Sequence, residues 1–219
     1  MKRIIIICEG QTEQMFCEQT LSPYFSRKEI NIQPSLINSG RGGITGWHKL
    51  KREIENYLKQ DQTVYVSMLV DYYGIYKEHQ FPSWEESFKM ADKSELLNFL
   101  EQKMKEDINP SFGYRFIPYM QLHEFEGLLF NNIDVFRQQF TTSELAGMAE
   151  LQETFKQFGG NPEMINNNKE TAPSKRLERI IRGYNKVVYG NILAEAIGLE
   201  NIKSKCPRFN GWISKIENI

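Results

Sequence analysis

Ile4-Ile5-Ile6-Ile7-Cys8-Glu9-Gly10-Gln11-Thr12-Glu13 is the stretch whose reading decides the fold. Four β-branched residues in a row suit a pleated strand. Because the run is continuous rather than alternating, it reads as a strand covered on both faces, as in a parallel sheet. Glu9-Gly10-Gln11 then turns the chain, and Thr12 is placed to cap a helix starting near Glu13.

Outward from there the pattern alternates. Met15, Phe16, Tyr24 and Phe25 form the apolar stripe of a first helix, which Pro23 ends or kinks. Ile32–Ile37 reads as a second strand, followed by the flexible loop Ser39-Gly40-Arg41-Gly42-Gly43. Trp47, Leu50, Ile54, Tyr57 and Leu58 fall on one face of a second helix. Val64–Val70 is a third strand ending at Asp71, and the following segment, Tyr72–Met90, is aromatic and irregular, with Ser83-Trp84-Glu85-Glu86 as a capping box. Leu96, Leu97, Leu100 and Met104 mark another helix, closed by Asn109-Pro110. Tyr114–Leu122 reads as a fourth strand, weakened or placed on an edge by Pro118. Beyond Asn131 the text is helical, with a capping box at Thr141-Thr142-Ser143-Glu144, breaks at Gly159-Gly160-Asn161-Pro162 and Asn166-Asn167-Asn168, and Gly198 at a C-terminal cap. This order predicts an α/β fold with a mostly parallel four-stranded sheet. The chain reads as one domain over 1–219, an α/β core over 1–131 with a helical C-terminal region over 132–219 packed on it.

Composition sets limits. The 219 residues are 40% hydrophobic and 25% charged, with a net charge of −1. That is enough chain for a sizeable core, and no apolar run approaches the roughly 20 residues that span a bilayer. Met1-Lys2-Arg3 and the isoleucines resemble a secretion signal only until Cys8-Glu9, where the apolar stretch stops. Cys8, Cys17 and Cys206 follow no metal-ligand spacing, and three scattered cysteines suit a reducing cytoplasm. Residues 169–219 carry a balance of +5 and residues 1–168 a balance of −6. An acidic body beside a basic C-terminal part suits a metal site next to a polyanion track, and equally an ordinary solvated surface.

Glu9, Asp71, Glu124 and Glu126 each follow or end an apolar run. If those runs are neighbouring parallel strands, the four carboxylates converge at the carboxyl ends, where open sheets bind ligands. Like charges held close cannot all stay ionised unaided, so the pattern predicts a hard cation, Mg²⁺ or Mn²⁺, among oxygen ligands. Glu124 and Glu126 are two apart and share a face if the segment is extended, with His123 pointing away. Glu13 is placed as a metal ligand or to hold a metal-bound water, although an acid in a first helical turn is also what the dipole favours. Arg41, within its glycines, is placed to meet a phosphate or simply to turn the chain. Lys175, Arg179, Arg182 and Lys186 are spaced to line one stripe if a single helix carries them, suited to a phosphate backbone or to a wet helix face. Lys175, at the start of that helix, is the candidate to steady charge on a scissile phosphate.

Four ordered motifs carry a resemblance: Cys-Glu-Gly-Gln-Thr-Glu (8–13), Val-Asp-Tyr-Tyr-Gly (70–74), Gln-Leu-His-Glu-Phe-Glu-Gly-Leu-Leu-Phe (121–130) and Thr-Ala-Pro-Ser-Lys-Arg (171–176). Together with Ala194–Leu199 and Cys206–Phe209 they are similar to a bacterial family known as domain of unknown function 4276. That family is grouped with toprim-like domains, which include overcoming-lysogenization-defect nucleases. The resemblance implies a toprim-like, Rossmann-like parallel sheet and metal-dependent cleavage of nucleic acid, DNA or RNA. Glu9 matches the glutamate that the toprim pattern has after its first strand, and Asp71 its first aspartate; by position, Glu9, Asp71 and Glu126, helped by Glu124, are placed around Mg²⁺ or Mn²⁺, with Glu9, Glu13 and Lys175 in catalysis. Arg41, Lys175, Arg176, Arg179 and Arg182 would then hold the polyanion. Relatives often accompany a separately encoded ATPase in phage-defence gene clusters. The toprim pattern has a second aspartate two residues after the first, where this chain has Tyr73. A non-catalytic module that binds a partner ATPase or nucleic acid is the alternative.

Overall fold

A computed structural model describes residues 1–37, 43–165, 168 and 170–219. Strands β1 (Lys2–Cys8), β2 (Ile30–Leu36), β3 (Tyr65–Asp71), β4 (Phe116–Ile117) and β5 (Met120–Gln121) make one parallel sheet in the order β2-β1-β3-β4, with β5 also paired to β3. The helices are α1 (Gln11–Phe16), α2 (Ser22–Ser26), α3 (Trp47–Gln60), α4 (Trp84–Ser87), α5 (Lys93–Asp107), α6 (Ile133–Gln139), α7 (Met148–Phe158), α8 (Pro173–Ile180), α9 (Lys186–Ile197), α10 (Leu199–Lys205) and α11 (Pro207–Glu217). The expected fourth strand is two short ones, because Pro118 interrupts the ladder between Ile117 and Met120.

The isoleucine run sorts its side chains by the two-residue period of a strand. Ile4, Ile6 and Cys8 face one layer, and Ile5 and Ile7 face the other. Right-handed crossovers decide which helices cover which face. The step from β1 to β2 runs one way across the sheet and puts α1 and α2 on the first face. The steps to β3 and then β4 run the other way and put α3 and α5 on the second. The first face beneath β3 and β4 is therefore left bare by the core connections. The C-terminal region covers it: Phe209, Trp212, Ile213 and Ile216 of α11 pack with Leu69, Ile117 and Tyr119. Trp212 stacks on Tyr119 at 4.7 Å and donates its indole N–H to Ser67 Oγ at 2.9 Å. The C-terminal region is thus a structural layer of the sheet.

Several local expectations resolve differently. The helix after β1 starts at Gln11 with Gly10, not Thr12, at its cap, and Glu13 Oε2 accepts the Gly10 N–H at 3.0 Å. Pro23 does not end the helical run. A π turn over Cys17–Leu21 precedes α2 instead, and Pro23 sits in its first turn, where a missing N–H costs least. Ser83 makes no side-chain cap at α4 and stands in the left-handed region at φ 54°. Thr141 and Glu144 close a turn on each other, while the next helix waits until Met148. Among the described residues no helix is long and apolar enough to cross a membrane.

Candidate active site

The switch in direction of the strand order falls between β1 and β3, the place where open parallel sheets leave a crevice at their carboxyl ends. Glu9 leaves β1 there and Asp71 ends β3 there. Glu9 Oε2 accepts the Asp71 N–H at 3.0 Å, and Glu9 donates its own N–H to Leu69 O at 3.2 Å. Asp71 Oδ1 accepts the Phe125 N–H at 3.0 Å, which fastens the β5 turn to the end of β3. The first and second carboxylates and the loop bearing the others are joined by backbone bonds.

Glu124 and Glu126 do not share an extended face. Glu124 precedes a 3₁₀ turn over Phe125–Leu129, and Glu126 lies inside it. Glu124 accepts the Ser174 N–H at 2.9 Å and the Ser174 hydroxyl at 3.0 Å, so both its oxygens serve the first turn of α8. Glu126 is fully buried, with Oε1 3.1 Å from Lys186 Nζ at the start of α9. Among the described residues its Oε2 has no hydrogen-bond partner, and the buried Tyr184 hydroxyl has none either.

Among the described residues Lys186 is the cation that meets these acids. Burial works to lower its pKa, yet Glu126, Asp71 and Glu13 together hold it above the ordinary lysine range. Burial first, then repulsion from Glu13 and Glu124, pushes Glu9 to about 7, against the opposing Asp71 amide and Lys186. Burial raises Glu126 to about 7 as well, with Lys186 opposing and Glu124 adding. Asp71 is pushed up by burial and by Glu13 and Glu9.

Lys175 is paired on its own helix: its ammonium is 2.7 Å from Glu178 on the exposed side of α8. The expected basic stripe is not on one helix. α8 ends at Ile180, Ile181 forms a bridge with Leu145, and Lys186 begins the next helix. Arg179 is clamped on Glu150 at 2.5 Å, and Arg176 is turned inward, donating to Thr171 O and Thr154 Oγ1. Arg182 is exposed in the turn after Ile181. Arg41 lies outside the described residues. Lys186 was visible in the sequence only as part of that stripe. Its signal was Asn185, whose side chain caps α9 by accepting the Val188 N–H at 3.0 Å and so starts a helix at the lysine.

The donor set suits a hard cation: oxygen ligands, a buried carboxylate oxygen without a partner, and acids whose charge is unstable when crowded. As folded, no group of three or more His, Cys, Asp or Glu side chains among the described residues is arranged to hold a metal ion. Mg²⁺ commonly takes only one or two carboxylates and keeps water and phosphate oxygens for the rest, which the joined pair Glu9 and Asp71 can supply.

Fold and site define a parallel α/β protein with an acidic crevice at its switch point and one lysine set against the acids. The family model described as Domain of unknown function (DUF4276) matches residues 8–217, and the chain belongs to that family. No curated protein and no solved structure matches it.

Proposed function

We propose that the chain is a Mg²⁺- or Mn²⁺-dependent phosphodiester hydrolase of nucleic acid, DNA or RNA, with a toprim-like core. The observation that carries this reading is the meeting of Glu9 and Asp71, bonded at 3.0 Å, in the crevice between β1 and β3. Glu9 and Asp71 would hold the ion, with Glu126 as the third carboxylate in reach. The ion would supply charge neutralisation on the phosphate and a more acidic water. Glu13 fixes the first turn of α1 through Gly10 and keeps its other oxygen to orient water. Lys186, already balancing Glu126, takes the role foreseen for Lys175, offsetting negative charge that grows on the phosphate. Family resemblance alone adds a separately encoded ATPase partner and a place in phage defence to the same proposal.

One observation favours a second reading, a non-catalytic module. The oxygens of Glu9, Asp71 and Glu124 accept bonds from protein groups, and no three-ligand group stands ready among the described residues. The test incubates purified protein with plasmid, single-stranded DNA and RNA in Mg²⁺ or Mn²⁺, for wild type, Glu9→Gln and Asp71→Asn. Metal-dependent cleavage lost in both variants supports the hydrolase. No cleavage, with melting midpoints indifferent to Mn²⁺ in all three proteins, establishes the module instead.

A further inference from the structure

A groove of about 1140 Å³ runs along the β4 edge of the sheet between α5 and α11. None of Glu9, Glu13, Asp71, Glu124 or Glu126 lines it. The charged side chains that line it are Glu101, Lys105, Arg208 and Lys215. Arg208 takes the charge of Glu101, with Nη2 2.5 Å from Oε1, and both side chains are nine-tenths buried or more. Lys215 stands 3.8 Å from the other Glu101 oxygen and is 58% exposed, and Lys105 has no ion-pair partner among the described residues. The single carboxylate of Glu101 is therefore shared by Arg208 and Lys215, and with Lys105 the lining carries three cationic side chains against one acidic one. Tyr114, 65% exposed, lines the same groove and offers a flat face.

The sheet edge itself is closed to an added strand at this point. Glu101 Oε1 accepts the Met120 N–H at 3.1 Å, and Arg208 donates to Met120 O at 3.4 Å. Side chains occupy the bonds a further strand would make. An added strand would find both Met120 groups taken, and the excess of cationic side chains over the one carboxylate suits a compact anion. We propose that this groove binds a small anion carrying a flat ring, of the mononucleotide class, with its phosphate on Lys105 and Lys215 and its ring on Tyr114. Such pairing of apolar walls with a few placed charges is how small-ligand sites recognise their occupants.

The test is calorimetric titration in EDTA, which keeps divalent ions out of the acidic crevice, with adenosine 5′-monophosphate, adenosine and inorganic phosphate as probes. The nucleotide should bind at least about tenfold more tightly than adenosine or phosphate. Lys105→Ala combined with Lys215→Ala should weaken it by about tenfold or more, and Tyr114→Ala should weaken the nucleotide but not phosphate. Glu9→Gln should leave binding unchanged. Absence of nucleotide binding, equal binding by the double variant, or loss of binding in Glu9→Gln overturns the proposal. All three groove residues are exposed or partly so, and unaltered far-ultraviolet spectra of the variants confirm that they fold.

Discussion

The carboxylate of Glu9 accepts the backbone N–H of Asp71 across 62 residues of sequence, and that one bond sets the two acids of the crevice side by side. It ties the turn after β1 to the last residue of β3, where a shift of either strand by one residue would send an acid to the opposite face.

The bond makes Glu9→Gln and Glu9→Leu unequal. Glutamine keeps an acceptor for the Asp71 amide, whereas leucine leaves a largely buried N–H without a partner, at a cost of about 1–3 kcal/mol. Urea denaturation should rank glutamine the more stable by that margin. Equal midpoints would mean the bond contributes nothing to the positioning of Asp71.

Acid titration gives the second prediction. Glu9 and Glu126 have folded pKa values of about 7, above their ordinary 4.5. The folded state then binds more protons than the unfolded state between these values, so stability is fully present below about pH 4.5 and is lost as pH rises toward 7. For the buried Glu126 the shift corresponds to a contribution on the order of 3 kcal/mol. Glu126→Gln should flatten the stability profile in EDTA across this window. A divalent ion competes with these protons, so the stabilisation by Mn²⁺ should be larger at pH 8 than at pH 5. A midpoint that rises steadily from pH 5 to 7 in EDTA would contradict the raised values.

Lys186 and Lys175 should separate cleanly. Lys186→Ala removes the cation 3.1 Å from Glu126, so the proposed cleavage should fall by at least about tenfold, a loss of ~1.4 kcal/mol of transition-state stabilisation. Affinity for Mn²⁺ should rise in the same variant, because the acids lose their internal counter-charge. Lys175→Ala breaks an exposed pair with Glu178, worth less than about 1 kcal/mol, and should leave the rate within about twofold. Cleavage assays and Mn²⁺ titrations on the two variants make the comparison, and an unimpaired Lys186→Ala enzyme would remove the lysine from the mechanism.

Arg208→Ala takes from Glu101, a side chain only 6% exposed, its nearer partner and leaves only the more distant Lys215 at 3.8 Å, so it should destabilise by about 3 kcal/mol. Pairing it with Glu101→Leu should recover part of that loss, since the poorly compensated buried carboxyl disappears with its partner. The uncapped Met120 edge in the double variant should also raise its tendency to associate, read by light scattering.

Much of the fold was legible because strands and helices announce themselves by local period. The isoleucine run, the run into Asp71 and the stripe of α3 all stand where the spacing put them, and Gly198 caps α9 at φ 79°. What misled was chemistry that depends on context. Thr141-Thr142-Ser143-Glu144 has the pattern of a helix start, yet Glu144 bonds back to Thr141 and the chain turns instead. The spacing of Lys175, Arg179, Arg182 and Lys186 suits one helix, but Ile181 pairs with Leu145 and breaks it. A distant partner decides such cases, and no window of sequence contains it.

By itself the sequence determined where the first three strands lie, that the sheet is parallel, and which acids follow its apolar runs, since those follow from the period of apolar residues and the need to bury them. Only the tertiary structure decided that Glu124 caps α8 while Glu126 faces Lys186, and that α11 supplies the layer under β3 and β4. Those pairings join residues far apart in the chain, and they are selected by crossover handedness and by burial against surfaces that exist only once the sheet has formed.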